Sequence, residues 1–108
     1  MRDDIERVEY ASMLYDFYGS LLNESQNEVM ALYHEDNLSL SEIAEELGQT
    51  RQAVHYNLRK AEKALKSYEE KLGLVRHFLA LKDKAEMIRD RTEDPEVRRL
   101  AEEILEEL

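Results

Sequence analysis

The stretch from Ser39 to Leu65 constrains this chain more than any other, because it spells a short helix, a glycine corner and a second helix. Ser39 and Glu42, three residues apart, form a capping-box pair, in which each side chain satisfies a backbone N–H that the first helical turn leaves unpaired. Ile43, Ala44 and Leu47 then recur at helical spacing as one apolar face. Gly48 stands where a helix can end in the left-handed conformation. Thr50 is a second N-cap, and Val54, Leu58, Ala61 and Leu65 are the inward positions of the helix it opens. A short helix, a corner of about three residues and a steeply angled second helix make a helix-turn-helix unit. Ala44, small and one turn before the corner, lets the two helices approach closely.

An αα-hairpin with a glycine corner also occurs in proteins that bind no nucleic acid. The outer face of the second helix points further. Arg51, Gln52, His55, Tyr56, Arg59 and Lys60 lie opposite Val54, Leu58 and Ala61. Arg51, Gln52, His55 and Tyr56 stand near the first turns, where side chains read or approach base edges, and Arg59, Lys60 and Lys63 suit phosphates. For His55, a solvated surface histidine is the competing reading.

These residues also carry a family resemblance. Leu40–Gly48 with Arg51–Val54 resembles the fourth conserved region of bacterial sigma factors, which reads promoter DNA. More closely, Leu-Ser-Glu-Ile-Ala-Glu-Glu (40–46), Thr-Arg-Gln-Ala-Val (50–54), Leu-Arg-Lys-Ala-Glu-Lys (58–63) and Tyr-Glu-Glu-Lys-Leu-Gly-Leu (68–74) resemble the YlxM-like family. Those are small helical proteins of Gram-positive-type bacteria, and the likeness runs from the first helix to about Leu81. The resemblance implies an all-α fold and a DNA-binding regulator. It also implies a link to the signal recognition particle pathway, whose genes usually neighbour the family's.

Net charge argues the other way. The chain carries 25 acidic and 15 basic residues, a balance of −10 that opposes binding to nucleic acid. Its distribution is uneven. Residues 23–50 hold seven acidic groups and no basic one, while residues 51–72 hold six basic and three acidic. Phosphate contacts supply most non-specific affinity, so any DNA binding is expected to be weak and salt-sensitive. A rival from another class is an accessory interaction protein that binds the particle's protein or its RNA; the acidic helices favour a basic protein partner over DNA, and the gene neighbourhood that the resemblance implies points the same way. A helical dimer whose recognition helix binds nothing is the third possibility.

With 37% charged residues, one Pro and three Gly in 108 residues, a single, almost wholly helical domain is expected. The chain has no Cys, which excludes disulfides and cysteine-bound metals. His34, His55 and His77 have no partner at metal-ligand spacing, so neither metal nor cofactor is expected. No phosphate-binding glycine loop and no paired nucleophile and base occur, so an enzyme is not expected. No apolar leader follows Met1 and no apolar run is long enough to span a membrane, so a soluble cytoplasmic protein is expected.

The remaining elements follow in order. A first helix is expected over residues 4–22, capped by Asp3 or Asp4, with Ile5, Val8, Ser12, Tyr15 and Leu22 inward and Leu14, Phe17 and Leu21 widening the stripe. Its aromatics, Tyr10, Tyr15, Phe17 and Tyr18, read as packing more readily than as base-stacking platforms. Asn23 and Gln26 make a second capping box for a helix over 24–35 with Val29, Met30, Leu32 and Tyr33 inward. The helix after Thr50 keeps an apolar 4, 3 spacing through Leu65, Tyr68 and Leu72, over roughly 33 Å. Nothing in residues 23–50 reaches its second half, so another helix must cover it. Leu74–Arg91 and a helix opening at Asp94–Pro95 complete the chain, with Leu74, Phe78, Leu81, Ala85 and Ile88 on one apolar stripe and Val97, Leu100, Ile104 and Leu108 on the other. Helices 1, 5 and 6 carry more apolar surface than one 22-residue seam can bury, and a homodimer built from them is expected.

Overall fold

The computed structural model describes residues 2–108, with side chains described from residue 9 onward. Six α-helices run through the described residues: α1 (Arg2–Tyr18), α2 (Glu24–Met30), α3 (Leu40–Leu47), α4 (Arg51–Leu72), α5 (Leu74–Arg91) and α6 (Pro95–Glu107). They form two compact units, Met1–Leu72 and Gly73–Leu108.

In the first unit α4 is the axis, touched by α1, α2 and α3. Val54, Leu58, Ala61 and Leu65 are all buried along it, meeting Ile43 and Ala44 of α3 and Val29 and Met30 of α2 in the same core. The cover that the second half of α4 requires is α1. Tyr18 is 0% exposed, its ring lies 6.0 Å from that of Tyr68, and its hydroxyl donates to Glu69 Oε1 at 2.6 Å. Tyr68 in turn donates to the carbonyl of Leu21 at 3.3 Å. Aromatic pairs of this kind add about 1 kcal/mol to the area they bury. The seam stops there: Leu72, expected inward, is 52% exposed.

Three further expectations for this unit are corrected. α1 begins at Arg2, ahead of the expected Asp3 or Asp4 cap. Ile5 and Val8 lie outside the described side chains. After Tyr18 the chain tightens into a 3₁₀ turn, Gly19–Leu21, which rotates Leu21 to the surface and leaves only its carbonyl engaged. Gly19 is buried against the Tyr15 ring; a β-carbon there would sit 2.9 Å from it. The second helix also departs from α geometry, becoming a π-helix over Ala31–Glu35. Its wider turn is closed by the Asp36 N–H donating to the Ala31 carbonyl five residues back at 3.2 Å. Angular advance per residue falls in such a turn, so Tyr33 is exposed rather than inward and His34 turns in beside Tyr15, ring centroids 6.1 Å apart. Asn37, at φ 56°, then ends the segment in the left-handed region that Asn tolerates better than most residues.

His34 Nε2 is buried without a hydrogen-bond partner among the described residues. Burial pulls the imidazole pKa down, against opposing pulls from Glu62 and Asp16. The folded chain therefore holds the neutral ring. Its contribution is complete above the unfolded value near ~6.5 and is lost as pH falls through the lower folded value. Urea midpoints of the first unit are expected to drop on acidification from about pH 7.5 to about 5.5. His34→Phe, which cannot titrate, is expected to flatten that part of the profile; an unchanged slope would exclude His34 as its source.

The second unit is a two-helix hairpin of α5 and α6. Its closest contacts are made by small residues. Val75, Ala85 and Ala101 are buried, whereas Leu81, Ile88, Val97, Leu100, Ile104 and Leu108 are exposed. The apolar stripes read from the sequence on these two helices are therefore left largely at the surface of the hairpin, as surplus apolar area, with the small residues Val75, Ala85 and Ala101 buried between them.

Candidate nucleic-acid interface

The corner between α3 and α4 is built as its residues dictate. Ser39 Oγ accepts from the Glu42 N–H at 3.1 Å and Glu42 Oε1 accepts from the Ser39 N–H at 3.0 Å, closing the capping box. These bonds hold the Glu42 carboxyl below its usual pKa. Gly48 sits at φ 65°, ψ 34°. The Gln49 N–H donates to the Ala44 carbonyl at 2.9 Å and the Gly48 N–H to that of Glu45 at 3.4 Å, the paired bonds of a Schellman ending. Two residues later Thr50 Oγ1 accepts from the Ala53 N–H at 3.1 Å and α4 begins. One left-handed residue thus sets where the second helix starts, and Ile43, Ala44 and Val54, all buried, fix how closely it lies on the first.

With Val54, Leu58 and Ala61 committed inward, helical geometry leaves the opposite face to solvent. Arg51, Gln52, His55, Tyr56, Arg59, Lys60 and Lys63 are all exposed there. The structure thus brings together all seven residues singled out in the sequence, on one face of one helix. Tyr56 is 60% exposed, and the Lys60 ammonium lies 5.2 Å from its ring centroid. That cation–π contact presents the aromatic face and the charge as one unit. Lys66, not singled out, is exposed on the same face. Its place seven residues beyond Arg59 is the signal that could have found it.

The chemistry this ridge offers suits recognition. The ridge offers guanidinium and ammonium donors, an amide, an imidazole and an exposed phenol, the set that meets phosphates and base edges. Among the described residues no group of three His, Asp or Glu side chains is placed to hold a metal ion, and no helix is long and apolar enough to cross a membrane.

Comparison with known proteins gives one coherent picture. Residues 5–106 match the UPF0122 family, described as "Putative helix-turn-helix protein, YlxM / p13 like". A UPF0122 protein of a Thermoanaerobacter species is 41% identical over 106 residues, covering 92% of this chain and 91% of that one. The Clostridium acetobutylicum relative is 42% identical over 106 residues, covering 92% and 90%. That of Geobacillus kaustophilus is 44% identical over 86 residues, covering 80% and 78%. The family description is thus of helix-turn-helix proteins.

Proposed function

Because the chain belongs to the YlxM / p13-like helix-turn-helix family, we propose that it is a DNA-binding regulatory protein that lays the first three turns of α4 in the major groove. One observation carries this reading. Arg51–Lys60 contains no acidic residue and turns every one of its charged side chains outward, in a molecule of net charge −10. Arg51, Gln52, His55 and Tyr56 approach bases; Arg59, Lys60 and Lys63 hold phosphates. Acidic groups elsewhere keep the affinity low and steep in salt.

A gel shift on a pool of random duplexes at about 50 mM salt, repeated at about 200 mM, tests it. Binding is expected at the lower salt and to fade at the higher. Gln52→Ala and His55→Ala are expected to flatten sequence preference while leaving non-specific affinity within about twofold. No shift at the lower salt overturns the reading.

A second reading is favoured by one feature. Glu24, Glu28, Glu42, Glu45 and Glu46 are all exposed, on a stretch without any basic residue. Such a surface suits a basic partner, as an accessory protein of the signal recognition particle would require. Recovery of particle protein or RNA from lysate, with no DNA retained, supports this reading over the first.

A further inference from the structure

Two α-helices by themselves bury too little to hold their own geometry. In the Gly73–Leu108 unit the buried residues are Gly73, Val75, Ala85 and Ala101, none larger than valine. Larger apolar side chains are left outside. Leu81 and Ile88 of α5 are 54% and 46% exposed, and Leu100 and Ile104 of α6 are 48% and 45% exposed. Helical geometry fixes where they point. At 100° per residue, Leu81 and Ile88 lie roughly 80° to one side of the α5 contact direction, and Leu100 and Ile104 lie a similar angle to one side of Ala101. For two antiparallel helices those offsets fall on the same side of the hairpin. The result is one continuous apolar face.

The rims of that face carry opposite charge. Beyond Leu81 and Ile88 on α5 stand His77, Lys84 and Arg91, seven residues apart and all exposed. Beyond Leu100 and Ile104 on α6 stand Glu96, Glu103 and Glu107, also exposed. A groove of about 500 Å³ lined by Lys84, Met87, Ile88, Arg91 and Thr92 opens at the end of α5, apolar within and cationic at its edge.

We propose that this face is closed by the same face of a second copy, packed crosswise so that α5 of each chain lies on α6 of the other. Three features favour a second copy over another occupant. The face is self-complementary under a two-fold axis, since each copy brings one basic and one acidic rim, as an isologous interface requires. The parallel alternative sets basic rim on basic rim and acidic on acidic, and is disfavoured. Val97, 37% exposed, widens this face to roughly a few hundred Å², the size at which an apolar patch on a monomer marks an interaction site. The flanking rims extend it towards the ~800 Å² per partner of a stable interface. Arg99 already pairs with Glu103 at 2.8 Å and Glu96 at 3.6 Å within α6. Exposed pairs of this kind hold their partners weakly, so the rim remains available to the second copy. The proposal stands apart from the DNA reading, since it uses no residue of α4.

Sedimentation equilibrium of the full chain at tens of micromolar tests it. The expected mass is twice the 12.8 kDa of the chain. Two charge-reversed variants, K84E/R91E and E103K/E107K, are each expected to weaken self-association about tenfold or more, since like rims then face each other. Mixed in equal amounts they are expected to recover the wild-type mass as a heterodimer. All four positions are exposed, so the fold survives the changes, and circular dichroism verifies it. Wild type at the mass of one chain overturns the proposal. So does a dimer that both variants form unchanged, or a mixture that stays at the mass of one chain.

Discussion

Tyr18→Ala is expected to destabilise the Met1–Leu72 unit by about 3–5 kcal/mol, the range for deleting a large buried aromatic. That is a large share of what a unit of this size possesses. The side chain is fully buried between α1 and the second half of α4. Its ring faces Tyr68 and its hydroxyl donates to Glu69, so truncation opens a cavity and leaves a carboxylate without that donor. Tyr18→Phe keeps the ring and is expected to cost only about 1–2 kcal/mol, the worth of one hydrogen bond to a charged group. The measurement is convenient because all six tyrosines, at 10, 15, 18, 33, 56 and 68, lie in this unit and the chain has no Trp. Tyrosine fluorescence in urea therefore follows the first unit alone. Equal losses for both substitutions would mean that the hydroxyl, and not the ring, holds α1 on α4.

Stripping the ridge is expected to have the largest effect on DNA. Arg51, Arg59, Lys60 and Lys63, all replaced by Ala, remove the positive charge from the outward face of the first half of α4. Each lost phosphate contact makes the dependence of log K on log salt shallower by about 0.9, so the three contacts of Arg59, Lys60 and Lys63 account for a change of about 2.7, and with the base contact of Arg51 the affinity loss is about a hundredfold or more at low salt. Exposed positions of this kind alter stability by only about 0.5 kcal/mol. Folding and binding are therefore separable in one variant. A salt slope that survives the fourfold replacement would place the DNA contact elsewhere on the chain.

The helix caps and the glycine corner were legible because each is a local device. Ser39 with Glu42, Asn23 with Gln26, Asp94 as the cap before Pro95, and Gly48 all act within a few residues, and the structure forms each of these caps and the left-handed corner. The outward ridge was legible for a related reason, since burying Val54, Leu58 and Ala61 leaves the other side of a helix no choice. Tyr33 and Leu21 were misplaced because both follow a change of helical pitch, to π in one case and 3₁₀ in the other. A wheel drawn at one constant pitch loses its register there. The apolar stripes of α5 and α6 were legible, but which of their residues are buried was not: Val75, Ala85 and Ala101 lie inside while Leu81, Ile88, Leu100 and Ile104 stay at the surface.

By itself, then, the amino-acid order determined where the capped helices α2, α3, α4 and α6 begin, which turn joins α3 to α4, and which side of α4 faces water. Those outcomes follow from hydrogen bonds and periodicity within a few residues. Only the tertiary structure decided that α1 closes the far half of α4 and that Ala85 and Ala101, not their larger neighbours, join α5 to α6. Contacts between segments distant in the chain depend on competing shapes and volumes, which local spacing does not encode.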